Sequence, residues 1–367
     1  MKPVVHIITT LGRGGAETQL RILAREQVNS GRRVVVFYLK DQPELLLDFL
    51  NANIEVSQLL CNLNPLQQVL KFKHFLKSNS YQIHAHLPRA QLIAALASKK
   101  STLVISRHDE DQFYPHANRI ISFIFSRYVA YKSKIAIAIS LSVKNKMLSS
   151  KELPKGFPIE VVHYGFDENE KSKALESEIS ELKESIGVRE GLIFGTVARL
   201  VPQKDFPTLL GGFKLLCDSG INAKLIIAGD GPLREELKDL SSTLNLNDNV
   251  VWLGSQSNVQ LIYSLMDVFI LTSKTEGFGL VLLEAMANSL PIVASNIPTV
   301  QEVLGANVGL TFESGNPKDL MEKLLKCTST DIRETLSEQA KSRIGIFNPT
   351  RMCARIDKIY ECSGELK

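Results

Sequence analysis

Short runs of apolar and β-branched residues recur along this chain with helix-period patterns between them, and the whole alternation occurs twice. The strand candidates of the first half are "VVHIITT", "RRVVVFYL", "YQIHAHL", "TLVISRH" and "KIAIAIS". Those of the second are "LIFGTVARL", "AKLIIAGD", "NVVWLG", "DVFILTS", "PIVAS" and "VGLTF". Uninterrupted apolar runs suit strands covered on both faces, and strands alternating with helices join as parallel sheets through right-handed crossovers. The fold class is therefore α/β, with two Rossmann-like, doubly wound parallel-sheet domains in tandem.

The length of 367 residues accommodates two cores. The polar stretch "DENEKSKALESEISELKESIGVREG" reads as an exposed connection, which puts the border near Gly165. Residues 1–165 form the first domain, 166–347 the second, and 348–367, after Asn348-Pro349, one terminal helix. In doubly wound sheets ligands bind beyond the carboxyl ends of the strands, so the loops there are the places to search.

Charge is divided unevenly. Residues 1–165 hold 22 lysines and arginines against 11 aspartates and glutamates, a balance of +11 in a chain whose total is +4, which leaves −7 for the rest. The basic half suits a phosphorylated substrate or an acidic membrane surface. Nucleic acid is disfavoured, since no reader motif or basic and aromatic stripe is present. "NPLQQVLKFKHFLKSNS" adds a helix with Leu66, Val69, Leu70 and Leu76 mainly on one side and Lys71, Lys73 and Lys77 elsewhere. It reads either as a core-facing helix with snorkelling lysines or, with Lys99, Lys100 and Arg107, as a face that docks on an anionic inner leaflet. "IISFIF", between Arg119 and Arg127, is too short to span a bilayer. "MKPVVHIITT" reads as a strand without the features of a secretory leader. Five cysteines in no CxxC or metal-type spacing suit reduced thiols in a cytoplasm.

The densest chemistry lies in "TEGFGLVLLEAMA", where Glu276 and Glu284 bracket near-perfect core residues. Carboxylates avoid such surroundings unless something pairs with them. Gly277, Phe278 and Gly279 lead into a helix beginning near Leu280, whose amino terminus suits an anion or a hydroxyl-rich ligand. By itself the motif reads as a surface loop with two solvated glutamates; its company changes that reading. Upstream, "GTVARLVPQKDF" places Arg199 and Lys204 after the first strand of the second domain, where a fork and a point charge suit a diphosphate. "IAGDGP" is a sharp strand-to-helix turn.

In the first domain "TTLGRGGAET" opens a helix with Gly12, Gly14 and Gly15, a spacing that departs from the GxGxxG of dinucleotide sites. His108 follows the strand "TLVIS", as a hydrogen-bonding group for an incoming hydroxyl or as a structural strand cap. Asp109, Glu110 and Asp111 have the spacing of a metal clamp but read as a solvated acidic turn, and no metal is assigned.

Taken together, "TLGRGGAE", "ISRH", "VVHYGFD", "GTVARLVPQKDF", "IAGDGP", "VWLGSQSNV" and "LTSKTEGFGLVLLEAMANSLPIVAS" resemble glycosyltransferase family 4, retaining enzymes of the GT-B fold, over nearly the whole chain. The resemblance implies two Rossmann-like domains facing across a cleft, with the terminal helix crossing back to the first. It implies a nucleotide diphosphate sugar, UDP-linked by preference, as co-substrate without a metal or other cofactor. Arg199 and Lys204 would neutralise the diphosphate, Glu284 would take the ribose, and Gln256 and Ser257 would touch the base. Glu276 and the backbone of Gly277 to Leu280 would hold the donor sugar. Gly15 would approach the diphosphate from the first domain, with Gly14 and Glu17 beside it among the substrate-binding residues, and His108 would stand near the anomeric centre. The implied acceptor is a glycan or lipid-linked sugar in bacterial surface polysaccharide or lipopolysaccharide synthesis, at the inner face of the cytoplasmic membrane. Two departures stand out: Asn288-Ser289-Leu290-Pro291 replaces a small residue and glycine before the proline, and Glu17 stands where some relatives have Gln. A sugar-nucleotide epimerase or hydrolase, or a non-catalytic nucleotide-sugar binder, is the alternative on the same fold.

Overall fold

The computed structural model describes every residue except 42, 100–101, 112, 115–117, 168–174, 188–190 and 366–367, and the side chains of 363–365 are outside the description too. Eleven of its thirteen strands are the apolar runs. In the first half they are β1 (Val4–Ile8), β2 (Val34–Tyr38), β3 (Glu55–Ser57), β4 (Gln82–His86), β5 (Leu103–Arg107), β6 (Ile135–Ala138) and β7 (Ile159–Val161). In the second they are β8 (Leu192–Val197), β9 (Ala223–Ala228), β10 (Val250–Gly254), β11 (Val268–Leu271), β12 (Ile292–Ser295) and β13 (Leu310–Phe312). All pairings are parallel, in the orders β3-β2-β1-β4-β5-β6-β7 and β10-β9-β8-β11-β12-β13. The chain reverses direction across the sheet between β1 and β4 and between β8 and β11, and those are the topological switch points.

The chain divides into two compact units, Met1–Gly165 with Phe347–Lys367, and Phe166–Ile346. In the first, β1, β2, β4 and β5 bury every residue. Its edge strands β3 and β7 are three residues long and expose Glu55 and Glu160, the charge that blunts an open edge. The terminal helix Pro349–Glu365 lies on the helix Gly15–Asn29. It presses Met352, Ile356, Ile359 and Tyr360 onto Val4, Ile22 and Val104. Burial of such side chains contributes about 1.5–3 kcal/mol each. Gly165 is required where the chain leaves this unit, because a Cβ there would lie 2.7 Å from Pro349 Cα. The second unit closes around Phe194, Phe213, Leu225, Ile227, Phe312 and Leu320. Its entry segment includes a helix, Glu176–Ser185, that buries none of its residues.

Three expectations are corrected. The helix Pro65–Phe75 does not turn its leucines to the core: Leu66 is 69% and Leu70 57% exposed, while Gln68 and Phe72 are buried. Gln68 takes the core position because its amide donates to Leu39 O at 3.0 Å and Leu60 O at 2.9 Å, a polar match that hydrophobic periodicity does not register. Arg107 is not a surface cation. It is buried at the end of β5 between Asp109, at 3.3 Å, and Glu152, at 3.6 Å. Asp109 is correspondingly half-buried rather than part of a freely solvated turn, and burial pushes its carboxyl up. Lys99 is exposed, and Lys100 lies outside the described residues. Ser289 holds the left-handed φ of +55° that a glycine would take after the helix Leu280–Ala287.

Candidate functional site

The loops that leave β8 and β11 lie at the switch point of the second sheet, and they are stitched to each other. Lys274 N–H donates to Gln203 O at 2.8 Å, Thr272 Oγ1 donates to Lys204 O at 2.7 Å, and Lys274 Nζ pairs with Asp205 at 3.1 Å. These contacts bring Lys204 Nζ onto Glu276 Oε1. Ser273 Oγ donates to the same carboxylate oxygen at 2.7 Å, and Thr299 Oγ1 donates to Glu276 O at 2.8 Å. The pair is largely enclosed, with 19% of the Lys204 and 10% of the Glu276 side chain exposed. Glu276 thus belongs to a held site and not to a solvated surface loop. Arg199, on the same loop as Lys204, is exposed and has no ion-pair partner among the described residues.

The glycines of "IAGDGP" place the Arg199 loop. A Cβ on Gly229 would stand 1.9 Å from Ala198 O, and one on Gly231 2.4 Å from Leu200 O. Leu200 N–H donates to Asp230 O at 3.0 Å, so the turn is a cradle for the backbone that carries Arg199.

Gly279, at φ +82°, caps the helix Leu280–Ala287, and Phe278 is buried beside it. Glu284 is half-buried on that helix, and Tyr263 Oη donates to its Oε2 at 2.6 Å. Burial raises the Glu284 carboxyl above its ordinary range, and the Tyr263 bond opposes that rise. Gln256 is half-buried with its amide on Leu253 O at 2.6 Å, and Ser257 is exposed next to it. Sequence reasoning missed Tyr263 and Ser273, which orient the carboxylates, and Thr299, which holds the backbone carbonyl of Glu276, since neutral hydroxyls leave no pattern of their own.

In the first unit Gly14 caps the helix Gly15–Asn29 in an extended conformation. Glu17 folds back over it, taking the Thr10 hydroxyl at 2.7 Å, and a Cβ on Gly14 would meet Glu17 Oε2 at 2.4 Å. A carboxylate therefore already covers this helix amino terminus.

His108 has both ring nitrogens engaged: Nδ1 with Tyr164 Oη at 2.5 Å and Nε2 with His86 Nδ1 at 3.1 Å. Burial lowers its pKa to about 3, with the Arg107 charge adding to the shift, so the ring is neutral at physiological pH. Burial, with the Asp109 and Glu17 carboxylates, holds the Tyr164 hydroxyl well above its ordinary value and hence protonated. His6, His84 and His86 present nitrogens within 4.8 Å of one another. Each of the three is satisfied by protein: His6 by His86 and Gln27, His84 by Tyr360 and Ser106, and His86 by His6 and His108. The sequence signal for this cluster was the alternation in "HAH", which puts His84 and His86 on one face of β4 with His6 paired in register to His84.

Residues 178–343 match the family described as Glycosyl transferases group 1, and residues 13–170 match Glycosyltransferase Family 4. The chain is 24% identical over 295 residues to the capsular polysaccharide biosynthesis glycosyltransferase CapM of Staphylococcus aureus, covering 78% of this chain and 77% of that one. It is 25% identical over 311 residues to the UDP-Gal:alpha-D-GlcNAc-diphosphoundecaprenol alpha-1,3-galactosyltransferase of Escherichia coli, covering 82% and 79%. Among solved structures, Anabaena Alr3699/HepE in complex with UDP and glucose superposes with a TM-score of 0.82 at 22% identity, covering 99% of this chain and all of that one.

Proposed function

The chain is a glycosyltransferase of the family 4 type, and from that premise we propose that it moves a hexose or N-acetylhexosamine from a UDP-sugar, with retention of anomeric configuration, to a glycan or lipid-linked acceptor in bacterial surface polysaccharide or lipopolysaccharide synthesis. The observation that carries this reading is the Lys204–Glu276 pair at the β8/β11 switch point, with Arg199 open beside it. Arg199 and Lys204 supply charge for a diphosphate without a metal. Glu276 keeps lone pairs for sugar hydroxyls, and Glu284 keeps its outer oxygen for a ribose. The departing phosphate oxygen takes the acceptor proton in front-face attack, which leaves the protein to position reactants and stabilise charge. The named relatives support the donor and acceptor classes: one uses UDP-Gal and a diphosphoundecaprenol-linked sugar, and a structural neighbour binds UDP and glucose.

A thermal-shift series with UDP-, GDP- and ADP-sugars tests the donor. A ligand at a hundred times its dissociation constant adds about 2.7 kcal/mol of stability, so the UDP series should raise the melting temperature most. Proton NMR of the product should show the donor's anomeric configuration. Inversion, or consumption of the donor without any transfer, overturns the reading in favour of another enzyme of the same fold.

We infer that the acceptor side meets an anionic inner leaflet, through a face other than the one expected from the sequence. The helix Arg119–Lys132 exposes Ile120, Ile121, Phe123, Ile124 and Phe125 by 36–68%, and holds three cations and no acid. The helix Pro88–Ala97 separates it from Pro65–Phe75, where Leu66 and Leu70 stand out beside Lys71 and Lys73. An outer helix face that is apolar with basic flanks suits the headgroup boundary, where each cation contributes about 1 kcal/mol. None of the described helices is long and apolar enough to cross a membrane. Co-sedimentation with anionic liposomes at low salt is expected, weakened by Ile120→Glu with Ile124→Glu and by Lys71→Glu with Lys73→Glu. Wild-type protein that ignores anionic liposomes at low salt contradicts it.

A further inference from the structure

The buried histidines form one directed chain of hydrogen bonds, and its direction is set far from His108. Asp357, on the terminal helix, is ion-paired with Arg32 at 3.2 Å and accepts from Gln27 Nε2 at 3.1 Å. A carboxylate so paired offers only acceptors, so the Gln27 amide must turn its nitrogen to Asp357 and its oxygen away. That oxygen lies 2.8 Å from His6 Nε2, which must therefore carry the proton.

Burial keeps the rings neutral, with His6 lowered to about 4 and His86 well below its ordinary value. A neutral imidazole has one N–H, so each assignment forces the next. His6 Nδ1 is an acceptor, and His86 Nε2 donates to it at 3.1 Å. His86 Nδ1 is then an acceptor, and His108 Nε2 donates to it at 3.1 Å. His108 Nδ1 is left as an acceptor, filled by the Tyr164 hydroxyl. The reverse order would set His6 Nε2 and Gln27 Oε1, two acceptors, face to face at 2.8 Å.

We propose that Asp357, Gln27, His6 and His86 are positioning residues through which the terminal helix fixes the tautomer of His108, so that this ring offers its ligand an acceptor, Nδ1, and never a donor. The inference rests on the reading above that His108 serves the transfer site. Its chemical consequence is specific. The group that meets the ring must be a hydroxyl able to donate, taking the place of the Tyr164 hydroxyl; a phosphate or carboxylate oxygen has nothing to bond to there.

The test is the two-bond proton–nitrogen correlation spectrum of full-length protein labelled with 15N-histidine. It separates the two neutral tautomers without any substrate. His6, His86 and His108 should all show the Nε2–H pattern. An Nδ1–H pattern at His108 in the unmodified protein overturns the proposal, and this arm stands even where a variant fails to fold. Gln27→Met removes the acceptor facing His6, and should mix the His108 tautomers and lower kcat by about ten- to a hundredfold, as loss of an imidazole's outer partner does, with the donor KM held within about threefold. A folded Gln27→Met with unchanged His108 signals and unchanged kcat contradicts the relay. If the predicted tautomers are present but the unmodified protein transfers no sugar, it is the donor reading that fails.

Discussion

Lys204 and Glu276 are ion-paired across the two loops that leave β8 and β11, so the cation expected to meet a diphosphate and the carboxylate expected to meet a sugar already hold one another. Each thereby orients its partner before any ligand arrives, while Ser273 donates to the Glu276 carboxylate and Thr299 to its backbone carbonyl.

Glu276→Gln keeps an acceptor for Ser273 and the shape of the loop, but removes the charge opposite Lys204. Transfer should fall by about a hundredfold or more, with a near-native melting curve. Undiminished transfer, or a chain that no longer folds, would count against a donor-binding role.

Glu284 is expected to trade stability for binding. Burial raises its carboxyl above the ordinary glutamate range, so it binds a proton more tightly folded than unfolded. Its contribution therefore favours the folded chain at low pH and is lost as pH climbs through the window between the ordinary and the raised value. Glu284→Gln should stabilise the ligand-free protein at pH 7 by about 1 kcal/mol and flatten its stability across that window, while uridine binds more weakly. A destabilised variant in calorimetry would contradict the sign.

Two glycine substitutions should diverge. Gly229→Ala sets a Cβ 1.9 Å from Ala198 O at φ +135°, against backbone that cannot step aside, and should cost about 3 kcal/mol or more and displace the Arg199 loop. Gly14→Ala meets only the end of the Glu17 side chain, which can rotate, so the fold should lose less than about 1 kcal/mol. Equal melting temperatures for the two variants would refute the distinction.

The sheets were legible because their central strands are buried on both faces and so read as unbroken apolar runs. The edge strands "EVS" and "IEV" were not, being three residues long with an exposed glutamate in each. Glu276 and Glu284 were legible as charges in company where charges are rare, and Lys204 by its place on the loop after the first strand of the second domain. The groups that orient them were not: Tyr263 lies 21 residues before Glu284, and Gln27 meets Asp357 across 330 residues. Only the folded chain brings such partners within hydrogen-bond reach. The leucines of Pro65–Phe75 misled for a related reason, since the core accepted Gln68 on the strength of two backbone carbonyls.

On the proposed function, the β8 and β11 loops of the second unit hold a nucleotide diphosphate by fixed cations. Titration calorimetry of UDP and of uridine, on the unmodified chain and on Arg199→Ala and Lys204→Ala, measures it directly. Each substitution should weaken UDP by about tenfold or more, the scale of a lost charge-assisted bond, leave uridine within about twofold, and leave both indifferent to chelator. Equal losses for UDP and uridine, or UDP binding that disappears with chelator, would contradict the account.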